Sequence, residues 1–186
     1  MIDMLEKYPL VKYPVDGFTK EISDIAIGEV VLRNKIDSSY VIWKRELLDG
    51  DSPVSVSDQI YGIVDYYWTL LYVNNIVNPF TEWYMGQTEH ELYVDSKYKN
   101  LGGKEGIHHF INTSAEGRNR QIDDVLYKHY YTQYEQGIPL PFYIKPISNL
   151  IYEKEINDTR KTINIISPKF ITQFVDTFFQ LIEAHA

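Results

Sequence analysis

The strongest hydrophobic periodicity lies in the last quarter of the sequence. Apolar residues there recur at helical spacing and form one stripe, made of Ile171, Phe174, Val175, Phe178, Leu181 and Ile182. This spacing predicts an amphipathic helix whose apolar face packs against another surface. Ser167-Pro168 precedes the stripe, so we expect a serine cap followed by proline at the first helical position.

A second apolar segment, residues 66–73, is hydrophobic on nearly every side of a helix. We therefore expect this helix, capped by Asp65, to lie at the centre of the core. Four side chains in and around it are predicted to fill that core: Tyr61, Trp68, Leu71 and Ile76.

Two more helices are indicated by their end signals. Ser55 or Ser57 is the expected cap of a short helix that Gly62 ends. The spacing Thr88-x-x-Glu91 is typical of a capping box and predicts a helix that reaches Tyr98.

The remaining segments give weaker signals. Residues 1 to about 50 are expected to form an irregular, partly extended arm, punctuated by prolines and Gly17. β-Prone composition predicts strands at four places: Glu29–Leu32, Tyr40–Trp43, Ile107–Ile111 and Arg160–Ile166.

Tyrosines mark a further amphipathic surface. They occur at positions i, i+3, i+4 and i+7, namely Tyr127, Tyr130, Tyr131 and Tyr134, which share one face if this stretch is helical. Such a face either covers the protein's own core or contacts a partner, and a carbohydrate-stacking platform is a third interpretation.

Composition narrows the class of protein. The chain has 186 residues, an ordinary 44% of hydrophobic residues and a net charge of −8, so it is not wholly disordered and does not resemble a phosphate-neutralising nucleic-acid binder. Cysteine is absent, which excludes disulfides and thiolate metal sites. The longest apolar stretch has eight residues, whereas a membrane span needs about 20. We expect neither nucleic acid nor membrane as a partner.

Catalytic and metal-binding patterns are weak. His108 and His109 are adjacent, but successive residues of a strand point to opposite faces, so we expect them not to share an ion. Asp123-Asp124 is expected to be a solvated helix start, and Gly102-Gly103-Lys104 lacks the spacing of a phosphate-binding loop. The sequence therefore predicts a protein that is not an enzyme and has no cofactor, no catalytic residues and no metal site.

A family resemblance rests on residues 58–83, DQIYGIVDYYWTLLYVNNIVNPFTEW. The pattern comprises Ile60-Tyr61-Gly62, Tyr67-Trp68, Asn74-Asn75, Asn78-Pro79-Phe80 and Trp83. It resembles the signature of the baseplate wedge protein 53 family of contractile-tailed, T-even-type phages. Two later stretches match in order: residues 97–103, and the run from Tyr152-Glu153 to the final helix.

The same region is similar to a lysin-motif (LysM) fold of strand, helix, helix and strand, with about 75 residues inserted before the closing strand. The resemblance implies an α+β protein with a LysM-like core, a large insertion, an extended N-terminal arm and a C-terminal helix. The expected divisions are an arm at 1–39, the first part of the core at 40–79, an inserted arm at 80–156, and a closing strand with the last helix at 157–186.

The resemblance also implies a structural function. We expect a subunit of the tail baseplate that is assembled in the host cytoplasm, resides in the virion and links neighbouring wedges. Its expected partners are other wedge proteins, including a sheath-initiating lysozyme-like subunit. Phe174, Phe178 and the four tyrosines are the possible interface residues. The alternative is a LysM-type module that binds peptidoglycan.

Overall fold

The computed structural model describes residues 8–23, 42–115 and 120–184, which form an α+β protein. The chain divides into two compact units. The described part of the first comprises residues 8–23, 42–47, 51–83 and 162–184, and that of the second comprises 48–50, 84–115 and 120–161. The strand predicted at Glu29–Leu32 and the start of the strand predicted at Tyr40–Trp43 lie outside the described residues. The four-part division into arm, core, insertion and closing segment stays a prediction.

Residues 10–23 of the first unit form a β-hairpin, where an irregular arm was expected. Strand β1 (Leu10–Val15) pairs antiparallel with β2 (Phe18–Ser23). Asp16 and Gly17 form the turn with φ of 49° and 82°. Positive φ at both central residues is the mark of a type I′ turn, whose twist matches that of the strands. The Asp16-Gly17 pair, flanked by segments of alternating apolar and polar residues, is a sequence signal of a hairpin. It contradicts the expectation of an irregular arm.

A two-stranded sheet joins distant parts of the sequence in the same unit. Strand β3 (Ile42–Glu46) pairs antiparallel with β6 (Thr162–Ile166), with Ile42 opposite Ile166. Between them in the chain come α1 (Pro53–Tyr61), α2 (Tyr67–Val73) and the single turn α3 (Pro79–Glu82). Apart from the single turn α3, the order of these elements is strand, helix, helix, strand. Its description as LysM-like stays a prediction.

Two helix starts differ from their predicted positions. Ser52, and not Ser55 or Ser57, caps α1, because Pro53 takes the first helical position and the Ser52 hydroxyl accepts the Ser55 N–H at 3.1 Å. Helix α2 begins at Tyr67 after a 3₁₀ turn, Val64–Tyr66, that contains Asp65. Gly62 ends α1 with φ of 67°, as predicted.

The last helix, α7 (Ile171–Glu183), supplies most of the core of the first unit. Five residues of the predicted stripe are buried, namely Ile171, Phe174, Val175, Phe178 and Ile182, while Leu181 is half-buried. The indole of Trp68 lies 4.5 Å from the Phe178 ring, centroid to centroid. The predicted serine cap is wrong: Ser167 and Pro168 lie in a preceding turn, and the helix begins at Ile171.

The second unit is built on an antiparallel pair of strands, β4 (Ile107–Asn112) and β5 (Ile144–Ser148). The α-helices of its described part are α4 (Gln87–Lys97), α5 (Asp124–Glu135) and α6 (Asn149–Thr159). Its buried apolar side chains include Val94, Phe110 and Ile144. The predicted capping box of α4 is wrong, because Gly86 occupies the cap position and Thr88 lies within the first turn.

Candidate functional site

The polar centre of the second unit is carried by α6, a helix that the sequence patterns did not predict. Asn149, Glu153 and Asn157 are spaced four residues apart and are 1%, 3% and 4% exposed. The Asn157 amide donates to the Met85 carbonyl at 2.8 Å and accepts the Met85 N–H at 3.0 Å. Asn149 donates to the carbonyls of Gly103 and Leu101. The buried face of α6 therefore satisfies backbone groups of two neighbouring loops.

Glu153 is the charged member of this centre. Its Oε1 accepts hydrogen bonds from the Lys97 ammonium at 2.8 Å and from the Tyr98 hydroxyl at 2.7 Å. Burial alone would raise the pKa of Glu153, but these two donors outweigh it and hold the pKa below its usual value. Burial, together with the neighbouring carboxylate, raises the pKa of Tyr98 to about 12. The carboxylate is thus kept ionised and the phenol kept protonated.

His108 and His109 lie side by side, which corrects the expectation that they point apart. Their Nδ1 atoms are 3.0 Å apart and their ring centroids 5.2 Å apart. The register of β4 against β5 shifts between Ile107 and His109. Because such a bulge breaks the regular alternation of side chains, two successive residues can turn toward each other.

Aromatic rings hold this histidine pair in place. The His108 ring stacks on Tyr152 of α6 at 3.7 Å and meets Tyr98 edge to face at 6.0 Å. Burial lowers the pKa of both imidazoles, and His108 lowers the pKa of His109 further. Both rings are therefore neutral near pH 7. No cluster of three or more His, Cys, Asp or Glu side chains able to hold a metal occurs in the described parts of the chain.

The four tyrosines occupy α5, as their spacing predicted. Tyr127 and Tyr130 lie against Phe110 of their own unit, with ring centroids 5.5 and 6.2 Å away. Tyr131 stacks on Tyr127 at 5.7 Å, and Tyr134 is 50% exposed. Tyr134 also meets the Phe110 ring edge to face at 6.5 Å, so the face packs on Phe110 and is half exposed at Tyr134. Asp123 caps α5 by accepting two backbone N–H groups, so it serves as a helix start.

Apolar residues are exposed on the N-terminal hairpin. Directly opposed pairs place Val11 with Ile22, and Val15 with Phe18, on one face of the two strands. Tyr13 shares that face with Lys20, whereas Lys12 and Glu21 lie on the other. Four side chains of the apolar face are 41% to 76% exposed: Val11, Tyr13, Phe18 and Ile22. We call these four residues with Val15 the hairpin face.

The burial of the predicted core residues can be compared with that of the two phenylalanines predicted at an interface. Trp68 is buried, and Tyr61, Leu71 and Ile76 are half-buried. Phe174 and Phe178 were expected at an interface, but they are 1% and 0% exposed within the first unit. That interface expectation is corrected, because the short helices and two-stranded sheet of this unit require α7 to complete their core.

Residues of the family signature hold the backbone of the first unit. Burial raises the pKa of Tyr61 to about 12, and its hydroxyl donates to the Ile166 carbonyl of β6 at 3.0 Å. Asn78 caps α3, and the Trp83 indole donates to the Asp51 carbonyl at 2.7 Å. Two of these contacts join separate segments of the first unit, and the third caps a helix. These signature residues therefore stabilise the fold.

The described residues contain no helix that is both long enough and apolar enough to cross a membrane.

Comparison with known proteins gives a concordant result. The chain is 27% identical over 136 residues to baseplate wedge protein gp53 of Enterobacteria phage T4, an alignment that covers 70% of this chain and 68% of that protein. The sequence profile described as "Base plate wedge protein 53" matches residues 16–181, which is most of the chain. The protein therefore belongs to the base plate wedge protein 53 family.

Proposed function

We propose that the protein is a structural subunit of a phage tail baseplate that links neighbouring wedges during virion assembly. The observation that carries this proposal is the family match over residues 16–181, which spans elements of both units. The comparisons give no support to the glycan-binding alternative.

The partners that fit this role are other baseplate wedge proteins, among them a sheath-initiating lysozyme-like subunit. Assembly would take place in the host cytoplasm, before the baseplate becomes part of the virion. Catalysis has no place in this proposal, since the role requires only complementary surfaces.

The hairpin face supports a role in assembly. An isolated two-stranded hairpin is marginally stable in water, and its apolar face gains stability when another surface covers it. Aromatic residues are enriched at protein interfaces, and this face presents Tyr13 and Phe18 at 55% and 76% exposure. We propose that a neighbouring wedge subunit covers the hairpin face.

Exposed apolar residues also occur in the second unit, at the end of α5 and in the segment that follows it. Tyr134, Ile138 and Phe142 are 50%, 45% and 90% exposed. We propose that Tyr134 and Tyr131 contact a wedge partner, whereas Tyr127 and Tyr130 support them from the Phe110 side. This arrangement divides the tyrosine face between its two predicted roles.

Co-assembly with the other wedge proteins of the same phage tests the function. The full chain should co-purify with partially assembled wedges and should be found in purified virions by mass spectrometry. Tyr131→Ser and Tyr134→Ser should weaken co-assembly, while His129→Ser, an exposed change on the other side of α5, should leave it unchanged.

Sedimentation with purified peptidoglycan sacculi supplies the opposing test. The proposal predicts no saturable binding. Binding that soluble oligosaccharide competes away, combined with absence of the chain from virions, would replace the structural role with glycan recognition.

A further inference from the structure

The adjacent imidazoles of the second unit carry an inference that is independent of the baseplate role. We propose that His108 and His109 together bind one divalent transition-metal ion, of the Zn²⁺, Ni²⁺ or Cu²⁺ class, through their Nδ1 atoms. Imidazole nitrogen is a preferred ligand of these ions. Neither residue takes part in the contacts that support the proposed function.

The distance between the two nitrogens fits one ion. Zn²⁺ binds histidine nitrogen at about 2.0–2.1 Å, so two ligands of a tetrahedral ion lie about 3.3 Å apart. The observed separation of the two Nδ1 atoms is 3.0 Å. Widening this separation by about 0.3 Å, through rotation of the His109 ring, would bring both nitrogens to bonding distance of a single ion.

The surroundings favour the ligand form of both rings. Metal binding needs neutral imidazole, and burial lowers the pKa of each ring. The charged groups that act on His108 are Glu153 and Lys97, and the one that acts on His109 is Glu155. Tyr98 and Tyr152 contribute their ring faces and edges to the packing.

In the metal-free protein, one hydrogen bond joins the two imidazole rings. A contact of 3.0 Å between two imidazole nitrogens requires that one Nδ1 donates and the other accepts. When an ion enters, the donor ring moves its proton from Nδ1 to Nε2, so both Nδ1 lone pairs become available. No net proton leaves a neutral pair, and the remaining coordination positions are taken by water.

Packing restricts the motion of one ligand. His108 is stacked on Tyr152 with 10° between the ring planes, and Tyr98 meets its edge. A ligand held in place loses less rotational freedom on binding than a mobile one. A two-histidine site with such preorganisation should bind more tightly than a lone exposed imidazole such as His129.

Calorimetric titration of the full chain with Ni²⁺, and separately with Zn²⁺, tests the proposal. We expect one equivalent to bind, with His108→Asn and His109→Asn each weakening the affinity by about tenfold or more. His129→Asn, the matched exposed control, should change the affinity by less than about twofold. Equal loss in all three variants, or no binding by the parent chain, would overturn the proposal.

Two measurements on the parent chain keep the test valid if a variant fails to fold. Nitrogen NMR with Zn²⁺ should shift the Nδ1 resonances of His108 and His109 and leave those of His129 in place. Binding should also weaken as the pH is lowered from 7.5, because protons then compete for both ligands. Shifts confined to other histidines, or binding that does not change with pH, would contradict the assignment.

Discussion

Asn74 ties the end of helix α2 to strand β6 by pairing with the backbone of Asn164. Its amide donates to the Asn164 carbonyl at 2.8 Å and accepts the Asn164 N–H at 2.7 Å. The same amide donates to the Leu70 carbonyl at 2.7 Å. One side chain thus satisfies the end of a helix and an edge of the β3–β6 sheet.

We expect Asn74→Ala to lower the free energy of unfolding by about 1–3 kcal/mol, because it leaves part-buried backbone groups without partners. Asn164→Ala is the matched control, since it keeps the backbone atoms that Asn74 contacts. Chemical denaturation of both variants measures the difference. Similar losses in the two proteins would show that the pairing contributes little.

Trp68→Ala should cost about 3–5 kcal/mol of unfolding free energy, as large aromatic truncations do in packed interiors. The indole is 7% exposed and lies among Phe174, Phe178 and Phe179. Trp43→Ala removes a 48% exposed indole and should cost less than about 1 kcal/mol. A Trp68 variant that unfolds at the parental denaturant concentration would contradict this placement.

Substitutions of two phenylalanines should affect different properties, one the stability of the fold and the other the assembly of the wedge. Phe178→Ser removes a fully buried ring and should destabilise the fold by about 3–5 kcal/mol. Phe18→Ser changes a 76% exposed ring of the hairpin face and should leave the melting temperature nearly unchanged. It should instead weaken wedge co-assembly by about 2 kcal/mol, the scale of one buried aromatic anchor.

Thermal unfolding read beside co-assembly decides this comparison. If Phe18→Ser assembled with parental affinity, the hairpin face would not be a contact surface. If Phe178→Ser kept parental stability, the assignment of α7 to the core would be wrong.

The pH dependence of stability should reveal Glu153. Its pKa is lower in the folded protein than the ordinary value of 4.5, so the unfolded chain takes up this proton first. The stability that ionised Glu153 contributes is therefore present above pH 4.5 and is lost as the pH falls through the folded-state pKa. Glu153→Gln should remove this pH dependence.

At pH 7, Glu153→Gln should lower the free energy of unfolding by about 1–3 kcal/mol, the usual range for hydrogen bonds to a charged group. Glu155→Gln, on an exposed position of the same helix, is the control and should change it by less than about 0.5 kcal/mol. Urea unfolding between pH 3 and pH 7 checks both. An unchanged pH profile in Glu153→Gln would assign the dependence to other carboxylates.

Hydrophobic periodicity predicted α7 and placed the tyrosines of α5 on one face, because packing in both follows the 3.6-residue repeat. The same criterion missed α6. Its buried positions are Asn149, Glu153 and Asn157, so the inward face is polar and does not differ from a solvated helix in the sequence. Their burial is explained only by their partners, which are the backbone of Met85, the turn at 101–103 and the side chains of Lys97 and Tyr98, all distant in the sequence.

The histidine pair could not be predicted for a related reason. Alternation along a strand is a sound rule until a bulge breaks it, and the bulge in β4 depends on its register against β5. The predictions of the helix caps were wrong for a reason that lies within a few residues of each helix start. Ser52 is preferred over Ser55 because Pro53 fixes the first helical position, a signal already present in the sequence.

The pairing of β3 with β6 has a consequence for synthesis on the ribosome. The Tyr61 hydroxyl donates to the carbonyl of Ile166, which is synthesised 105 residues later. Trp68 likewise packs on Phe178, which is also synthesised much later. A nascent chain that has emerged only through α3 lacks both β6 and α7. The apolar faces of α1 and α2 therefore remain exposed to solvent. Helix α7 must therefore leave the ribosome before the first unit can close. Chains that terminate before α7 would therefore lack a folded first unit.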